Sequence, residues 1–529
     1  MAQIYVSGLT FGYESGYENI FENVSFCIDT DWKLGLIGRN GKGKTTFLNL
    51  LLGKYEYQGS IRTTEHFEYF PFSVEKEMMK NLTINVIEKI YPDYELWKIC
   101  CELDLLQTDA EILYRPYETL SHGERTKVML ALLFSRDHVF LLIDEPTNHL
   151  DRDTREIVEK YLKRKKGFIL VSHDRTLLDQ CIDHVLVLER NQIRVSQGNF
   201  SSWWENKKKE DKFEQAENEK LKKEIGKLKI AARQSGMWAD QAERSKIGFD
   251  PRKETDRFIG TRAYLGEKSR KMQQRRKNLE HRQEKAISEK SQLLKNIEET
   301  AELKIMPCDH HKEMYITAKN LNLFYREKEV VHGFNLELKR GDRVILSGKN
   351  GCGKSSIIKT ILTFDGVEVL NGFPEEFRNE KRHFEGELTV ANGLKISYIS
   401  QDTSYLRGKL DDYIEKIDVA NHVMKSVLRQ LDFEREQFEK PLEKYSEGQK
   451  KKVLIAGSLL QQAHLYIWDE PLNYIDIFSR MQIEALILKY QPTMMIVEHD
   501  RFFGEKCATK QSLMGECFSI KNKAGISHL

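Results

Sequence analysis

A chain of 529 residues is long for one hydrophobic core and suits two domains with a connector between them. Its 40% hydrophobic content supports packed interiors, yet no apolar run approaches the ~20 residues that cross a bilayer, which excludes membrane-spanning helices as the organising elements. The formal charge of +2 excludes a uniformly basic or acidic surface, although it conceals a local imbalance near the middle of the chain.

Met1–Val6 reads as a strand and has neither a basic start nor a signal-type apolar stretch. The eight cysteines are scattered without a C-x-x-C pair, so a reducing cytoplasm is the expected home. Trp32–Ile37 is predicted to be a strand that runs into Gly38-Arg39-Asn40-Gly41-Lys42-Gly43-Lys44-Thr45, which fits the phosphate-loop pattern G-x-x-x-x-G-K-[ST]. In such a loop the glycines let backbone N–H groups turn inward around phosphates. Lys44 is expected to reach the β- and γ-phosphates and Thr45 to hold Mg²⁺, with a helix from Lys44 onward. Gly38, Asn40, Gly41, Gly43 and Thr46 complete the nucleotide-binding set. Ser121-His122-Gly123 follows. Phe140–Ile143 is a continuous apolar run, as in a parallel strand covered on both faces, and it ends in Asp144-Glu145-Pro146. Asp144 is a candidate Mg²⁺ ligand and Glu145 a candidate general base for the attacking water. Gly167–Ser172 reads as another strand, and His173 just beyond it is placed to contact a γ-phosphate and orient water.

The same four elements then recur in the same order. Gly348-Lys349-Asn350-Gly351-Cys352-Gly353-Lys354-Ser355 lies roughly 310 residues after the first phosphate loop. Ser446-Glu447-Gly448, Asp469-Glu470-Pro471 and His499-Asp500 repeat the others at roughly 325. The step between these offsets predicts an insertion in the second half, within Asp365–Leu388. A lone histidine past a strand is most often structural; recurrence at the matching offset argues for function. In the second half Gly348, Asn350, Gly351, Gly353, Lys354, Ser355 and Ser356 take the nucleotide roles. Ser355 and Asp469 take the Mg²⁺ roles, Glu470 the base and His499 the γ-phosphate contact. The expectation is an α/β ATPase of two matching phosphate-loop halves.

The connector, about Ser201–Pro307, holds none of these motifs. Leu221, Ile225, Leu228 and Ala232 share one helix face. Met272, Leu279, Ala286 and Leu293 recur at seven-residue steps, the seam of a coiled coil. Gly236, Gly248, Pro251, Gly260 and Gly266 interrupt the pattern over Gln234–Gly266. The simplest construction is an antiparallel helical hairpin with its tip at about Asp240–Ile259. The predicted domains are therefore 1–200, 201–307 and 308–529. Between Lys222 and Lys285, 19 Lys and Arg face 9 Asp and Glu. Arg275, Arg276 and Lys277 belong to this basic cluster, and Phe249 and Phe258 lie in the tip. Cations for phosphates with rings for splayed bases suit structured RNA.

Ser121-His122-Gly123-Glu124 and Ser446-Glu447-Gly448-Gln449 resemble the signature loop of ABC ATPases, with His122 and Glu447 departing from the commoner L-S-G-G form. The resemblance implies two domains packed head to tail within one chain, a monomer with an internal domain dimer. One ATP would lie between Gly38–Thr45 and Ser446 with Gly448, the other between Gly348–Ser355 and Ser121 with Gly123. Tyr13 and Tyr325 match the adenine-stacking aromatic. Gln401 supplies the family's Mg²⁺- and water-contacting glutamine, whereas the first half has Phe72 there, which cannot coordinate a cation. With its charged connector and no membrane segment, the chain resembles the ABC-F group, and through the phrases Trp32–Gly41, Gln197–Phe200 and Ile467–Tyr474 it resembles most the antibiotic-resistance proteins of Lsa and Vga type. That resemblance implies binding at the E site of the bacterial ribosome, near 23S rRNA and the P-site tRNA. It also implies relief of inhibition by lincosamides, streptogramin A and pleuromutilins. A housekeeping translation factor of the same group, or a transporter's ATPase subunit, would share the nucleotide motifs.

Overall fold

The computed structural model describes residues 2–13, 19–148, 150–189, 192–247, 303–325, 328–370, 382–514 and 516–518, with positions 274 and 285 helical. The chain divides into two units, Met1–Trp203 with Ala301–Leu529, and Trp204–Thr300.

The first unit contains the two halves. In the first half, six strands form a sheet in the order His66–Phe70, Val139–Asp144, Phe168–Val171, Lys33–Ile37, His184–Glu189 and Gln192–Gln197. All neighbours are parallel except the last pair. Phe168–Val171 is buried at every position, which is why its sequence is continuously apolar rather than alternating. A second, antiparallel sheet sets Gln3–Phe11 between Phe21–Asp29 and Gln58–Arg62. Ile4, Phe21, Leu34, Phe47, Phe140 and Ile169 belong to one buried cluster that joins the two sheets.

The second half repeats this plan and adds one strand. Its main sheet runs Val367–Val369, Leu394–Ile399, Leu465–Asp469, Met494–Val497, Arg343–Ser347, Lys510–Leu513 and Glu516–Phe518, again parallel except for the last pair. Met314–Tyr325 lies between Lys328–Lys339 and Arg382–Val390 in the smaller sheet. The extra edge strand Val367–Val369 falls within the expected insertion, of which residues 371–381 lie outside those described. Both main sheets aim the carboxyl ends of their inner strands at one edge, where nucleotide sites of parallel sheets form.

In the other unit, the helix that begins at Phe200 runs 48 residues to Ile247, about 72 Å at 1.5 Å per residue. The helix passes through Gly236 and Asp240, beyond the start of the expected interruption. One helical glycine costs only about 1 kcal/mol relative to alanine, too little to end a helix of this length. The rest of the expected tip and the returning coil, with Phe249, Phe258, Arg275, Arg276 and Lys277, lie outside the described residues. Among the described residues no helix is long and apolar enough to cross a membrane.

Candidate functional site

The phosphate loops follow Lys33–Ile37 and Arg343–Ser347 directly. Gly43 and Gly353 sit at φ 91° and 94°, the left-handed region that favours glycine. A Cβ on Gly43 would lie 2.6 Å from Ile20, and one on Gly353 2.4 Å from Val331, so these positions exclude any side chain. Helices Lys44–Leu51 and Lys354–Leu362 start immediately afterwards. Lys44 Nζ donates to Gly38 O at 2.7 Å and Asn40 Oδ1 at 3.0 Å. Lys354 Nζ donates to Gly348 O at 2.7 Å and Lys349 O at 2.9 Å. Each ammonium is thus held against its own loop. Tyr13 lies 3.0 Å from the Thr46 hydroxyl and packs edge-on against Phe11 and Tyr55. Tyr13 and Tyr325 remain 43% and 39% exposed, which removes plain core packing as the reason for either ring.

Asp144-Glu145 and Asp469-Glu470 end the strands Val139–Asp144 and Leu465–Asp469, each one strand removed from the strand that leads into the loop. Glu145 and Glu470 both adopt positive φ, 50° and 47°. A glutamate in that region carries backbone strain, which here recurs at the same place in both halves and turns each carboxylate off the strand. The two glutamates then differ. Glu470 Oε2 accepts from Gln401 Nε2 at 2.9 Å and Asn473 Nδ2 at 2.7 Å. Glu145 Oε1 is buried without a hydrogen-bond partner among the described residues, with His173 Nε2 3.4 Å away. Burial, then the neighbouring Asp144 carboxylate, pushes the Glu145 pKa up to about 8. Burial also opposes the charge of Glu470, but His499, Lys451 and Lys354 outweigh it and hold its pKa below the usual carboxylate value. His173 is driven well below its usual range by burial and then by the Lys44 and Arg480 cations, so its ring is neutral.

The strand register explains why Phe72 answers to Gln401. Phe70 pairs with Ile143 and Ile399 pairs with Trp468, so Pro71-Phe72 and Ser400-Gln401 leave their sheets at equivalent points. Phe72 lines a cavity of about 270 Å³ with Phe70, Met79, Tyr117 and Thr126. It offers no polar atom to Glu145.

The signature serines cap the helices His122–Phe134 and Glu447–Leu460. Ser121 Oγ accepts from Glu124 N while Glu124 accepts from Ser121 N, and Ser446 with Gln449 does the same. This reciprocal cap fixes the helix start, where free N–H groups attract anions. Contacts between the halves run head to tail. Asn40 Nδ2 donates to Tyr474 O at 3.1 Å, the carbonyl against which Gly448 packs so closely that a Cβ would meet it at 2.5 Å. Arg39 pairs with Asp432. Asp476 from the second half acts electrostatically on Lys44 and His173. In the other direction burial raises the Asp151 pKa, but Thr154, His499 and the backbone of Asn350 lower it further. The hydrogen bonds given to Ser121 and Ser446 lie within their own helices. Their assignment to the opposite nucleotide therefore rests on the neighbouring contacts.

The sequence profile of the family described as ABC transporter matches residues 21–148 and 331–473, which together make up more than half of the chain. The chain belongs to this family. As an ABC protein it is an ATPase, built as two ABC domains of α/β type. It is 27% identical to the ribosome protection protein VmlR of Bacillus subtilis (strain 168), over 93% of this chain and 84% of that one. It is likewise 27% identical to ABC transporter F family member 2 of Arabidopsis thaliana, covering 92% and 74%. ATP-binding protein Uup of Buchnera aphidicola is 26% identical, covering 93% and 77%. Among solved structures, the archaeal ribosome recycling factor aABCE1, in complex with the stalk protein aP1, shares the fold with a TM-score of 0.59 and 18% identity. That match covers 96% of this chain and 87% of the other.

ABC domains bind ATP together with a divalent cation, generally Mg²⁺. Hard oxygen donors fit it: Ser355 is hydrogen-bonded to Asp469, whose Oδ1 is buried without a hydrogen-bond partner among the described residues. Burial, then Glu470, pushes Asp469 up to about 6. Burial likewise raises Asp144, opposed by a 2.8 Å hydrogen bond from Tyr69 and by the Lys44 charge. Thr45 with Asp144, and Ser355 with Asp469 and Gln401, are the groups that would hold the ion, which supplies charge neutralisation for the phosphates.

Several charged side chains beside the site belong to none of these motifs. Asp476 is fully buried with Lys452 Nζ 2.8 Å away. Arg155 and Arg480 each close a loop by donating to Leu150 O and Ile475 O at 3.0 Å, and each faces an aspartate, Asp174 or Asp500. Asp151 with Asp476 and Arg155 with Arg480 keep the same repeat offset, the signal that could have found them.

Proposed function

We propose that this ABC ATPase is an F-type protein that acts on the bacterial ribosome. ATP closes its two halves, hydrolysis releases them, and the connector unit meets 23S rRNA and the P-site tRNA from the E site. The carrying observation is that relatives of this type align over more than nine-tenths of the chain, connector included, and one of them is named for ribosome protection. On that reading residues 1–200 and 308–529 form the clamp and 201–307 the arm. The protein relieves inhibition by lincosamide, streptogramin A and pleuromutilin drugs. A housekeeping role in translation is the second reading, favoured by the nearly equal identity to Uup and to the F family member of Arabidopsis.

The chemistry follows from the strand ends. At each site the phosphate loop, its lysine and the opposite signature serine and glycine hold the nucleotide. Glu470 takes the proton from water as the water oxygen attacks the γ-phosphorus, and the bond to the β-phosphate oxygen breaks to leave ADP and phosphate. Gln401 and Asn473 aim the carboxylate, and His499 orients the water. Glu145 and His173 take the corresponding places in the first half.

The test is the double variant Glu145→Gln/Glu470→Gln. It should bind ATP, lose turnover by about 10²-fold or more, and pellet with ribosomes in ATP more completely than the unaltered chain. Equal or weaker retention would contradict the clamp. Drug susceptibility of a sensitive bacterium carrying the gene then separates the two readings.

A further inference from the structure

Lys451 lies inside the helix Glu447–Leu460, little more than a turn after the Ser446 cap. It is only 2% exposed. Lysines are almost never buried to this degree without a paired carboxylate. Among the described residues no carboxylate oxygen lies within ion-pair distance of it. Its ammonium is spent instead on two main-chain oxygens, Ser400 O at 2.9 Å and, more loosely, Asp469 O at 3.5 Å.

Those two carbonyls belong to the segments that carry the two ends of one hydrogen bond. Ser400 precedes Gln401, and Asp469 precedes Glu470. Gln401 Nε2 and Glu470 Oε2 meet at 2.9 Å. The first half has neither feature. Thr126 occupies the matching helix position, too short to reach across, and the space beside it is part of the 270 Å³ cavity that Phe72 lines. There Glu145 Oε1 lacks a hydrogen-bond partner among the described residues. A lysine at this helix position and a glutamine at this strand end occur together in one half and are absent together from the other.

We propose that Lys451 is a positioning residue for ATP hydrolysis in the second half: it pins the Ser400 carbonyl to the end of the strand Leu465–Asp469, so that Gln401 stays on Glu470. This rests on the reading of Glu470 as the base. Lys451 also ties the signature helix to the glutamine segment, so a displacement of that helix is passed to the Gln401–Glu470 pair.

The experiment uses the full chain carrying Glu145→Gln, so that turnover comes from the second half. Lys451→Met should lower kcat about 10-fold and change KM for ATP less than about 2-fold, because the contact serves the reacting geometry rather than nucleotide binding. Lys451→Arg, which can donate to both carbonyls, should return kcat to within about 3-fold. In a Gln401→Ala chain, Lys451→Met should cost less than about 2-fold further, since both changes remove the same alignment. Unchanged kcat in Lys451→Met overturns the proposal, and so does failure of arginine to rescue or full additivity with Gln401→Ala. If Lys451→Met does not fold, Lys451→Gln replaces it with the same expectations. Glu470→Gln is measured first; full activity there would sink the base assignment and the positioning role of Lys451 with it, whereas lost activity there with unchanged kcat in Lys451→Met overturns the positioning role alone.

Discussion

At the scale of single residues, the two halves share their backbone devices and differ in their side chains. Gly43 with Gly353 and Glu145 with Glu470 occupy matching unusual φ values. Of these two glutamates, only Glu470 receives side-chain amide donors among the described residues, from Gln401 and Asn473, and only Glu470 is held below the usual carboxylate pKa. Glu145, pushed up to about 8 by burial and Asp144, is mostly protonated at pH 7 and so is poorly prepared to accept a proton. Single substitutions should therefore be unequal: Glu470→Gln should lower steady-state ATPase by about 10²-fold and Glu145→Gln by less than about 3-fold. Equal losses in the two rates would remove the reason for giving Phe72 any meaning. This asymmetry was half legible in the sequence. Phe72 against Gln401 shows in the register of the repeat. The bare Oε1 of Glu145 does not, because it depends on which side chains converge in space.

At the scale of elements, the repeat carried most of the information. Continuous apolar runs ending in Asp-Glu or His-Asp indicate inner parallel strands, and the main sheets contain them where expected. The insertion in the second half was legible as a change of offset, and part of it is the edge strand Val367–Val369. The helix Phe200–Ile247 runs further than its glycines suggest, because Gly226 and Gly236 weigh little against 48 residues. The charge pairs between the halves were not legible, since such pairs across an interface have no local pattern. The buried Arg175 guanidinium grips Glu484 through bonds of 2.7 and 3.1 Å, and Lys506 adds a third at 3.0 Å. Its counterpart Arg501 is exposed and pairs within its own helix with Glu505 at 2.8 Å. Glu484→Ala should destabilise by about 3–5 kcal/mol, because it leaves the buried Arg175 charge unpaired, and Arg175→Ala by less, since Lys506 still pairs with Glu484. The double variant should be no worse than Glu484→Ala, giving a coupling of about 1 kcal/mol or more. The measurement is the first urea transition, as a chain of several domains need not unfold in one step. Additive losses would show that the pair is not a joint between the halves.

At the scale of the molecule, the motor and the basic connector are separate units, so damage to one should leave the other working. Between Lys222 and Lys285 cations outnumber anions 19 to 9, while the rest of the chain is net acidic. Phosphate contacts supply most of the affinity for RNA, and that share weakens as salt rises. Charge reversal at Arg275, Arg276 and Lys277 should weaken ribosome pelleting in ATP, and the loss should grow between about 50 and 200 mM salt. Shortening the segment beyond Ile247, with Phe249 and Phe258, should act differently. No nucleotide motif lies near it, so ATPase activity should stay within about 2-fold of the unaltered chain. Pelleting should fall only modestly, because the cation cluster remains. If the protein protects ribosomes as proposed, resistance to lincosamide, streptogramin A and pleuromutilin drugs should vanish or change its spectrum, since aromatic rings able to stack on bases are the groups removed. Minimum inhibitory concentrations measured beside pelleting distinguish the two classes of variant. Unchanged protection after shortening would move the activity away from this segment and favour the housekeeping reading.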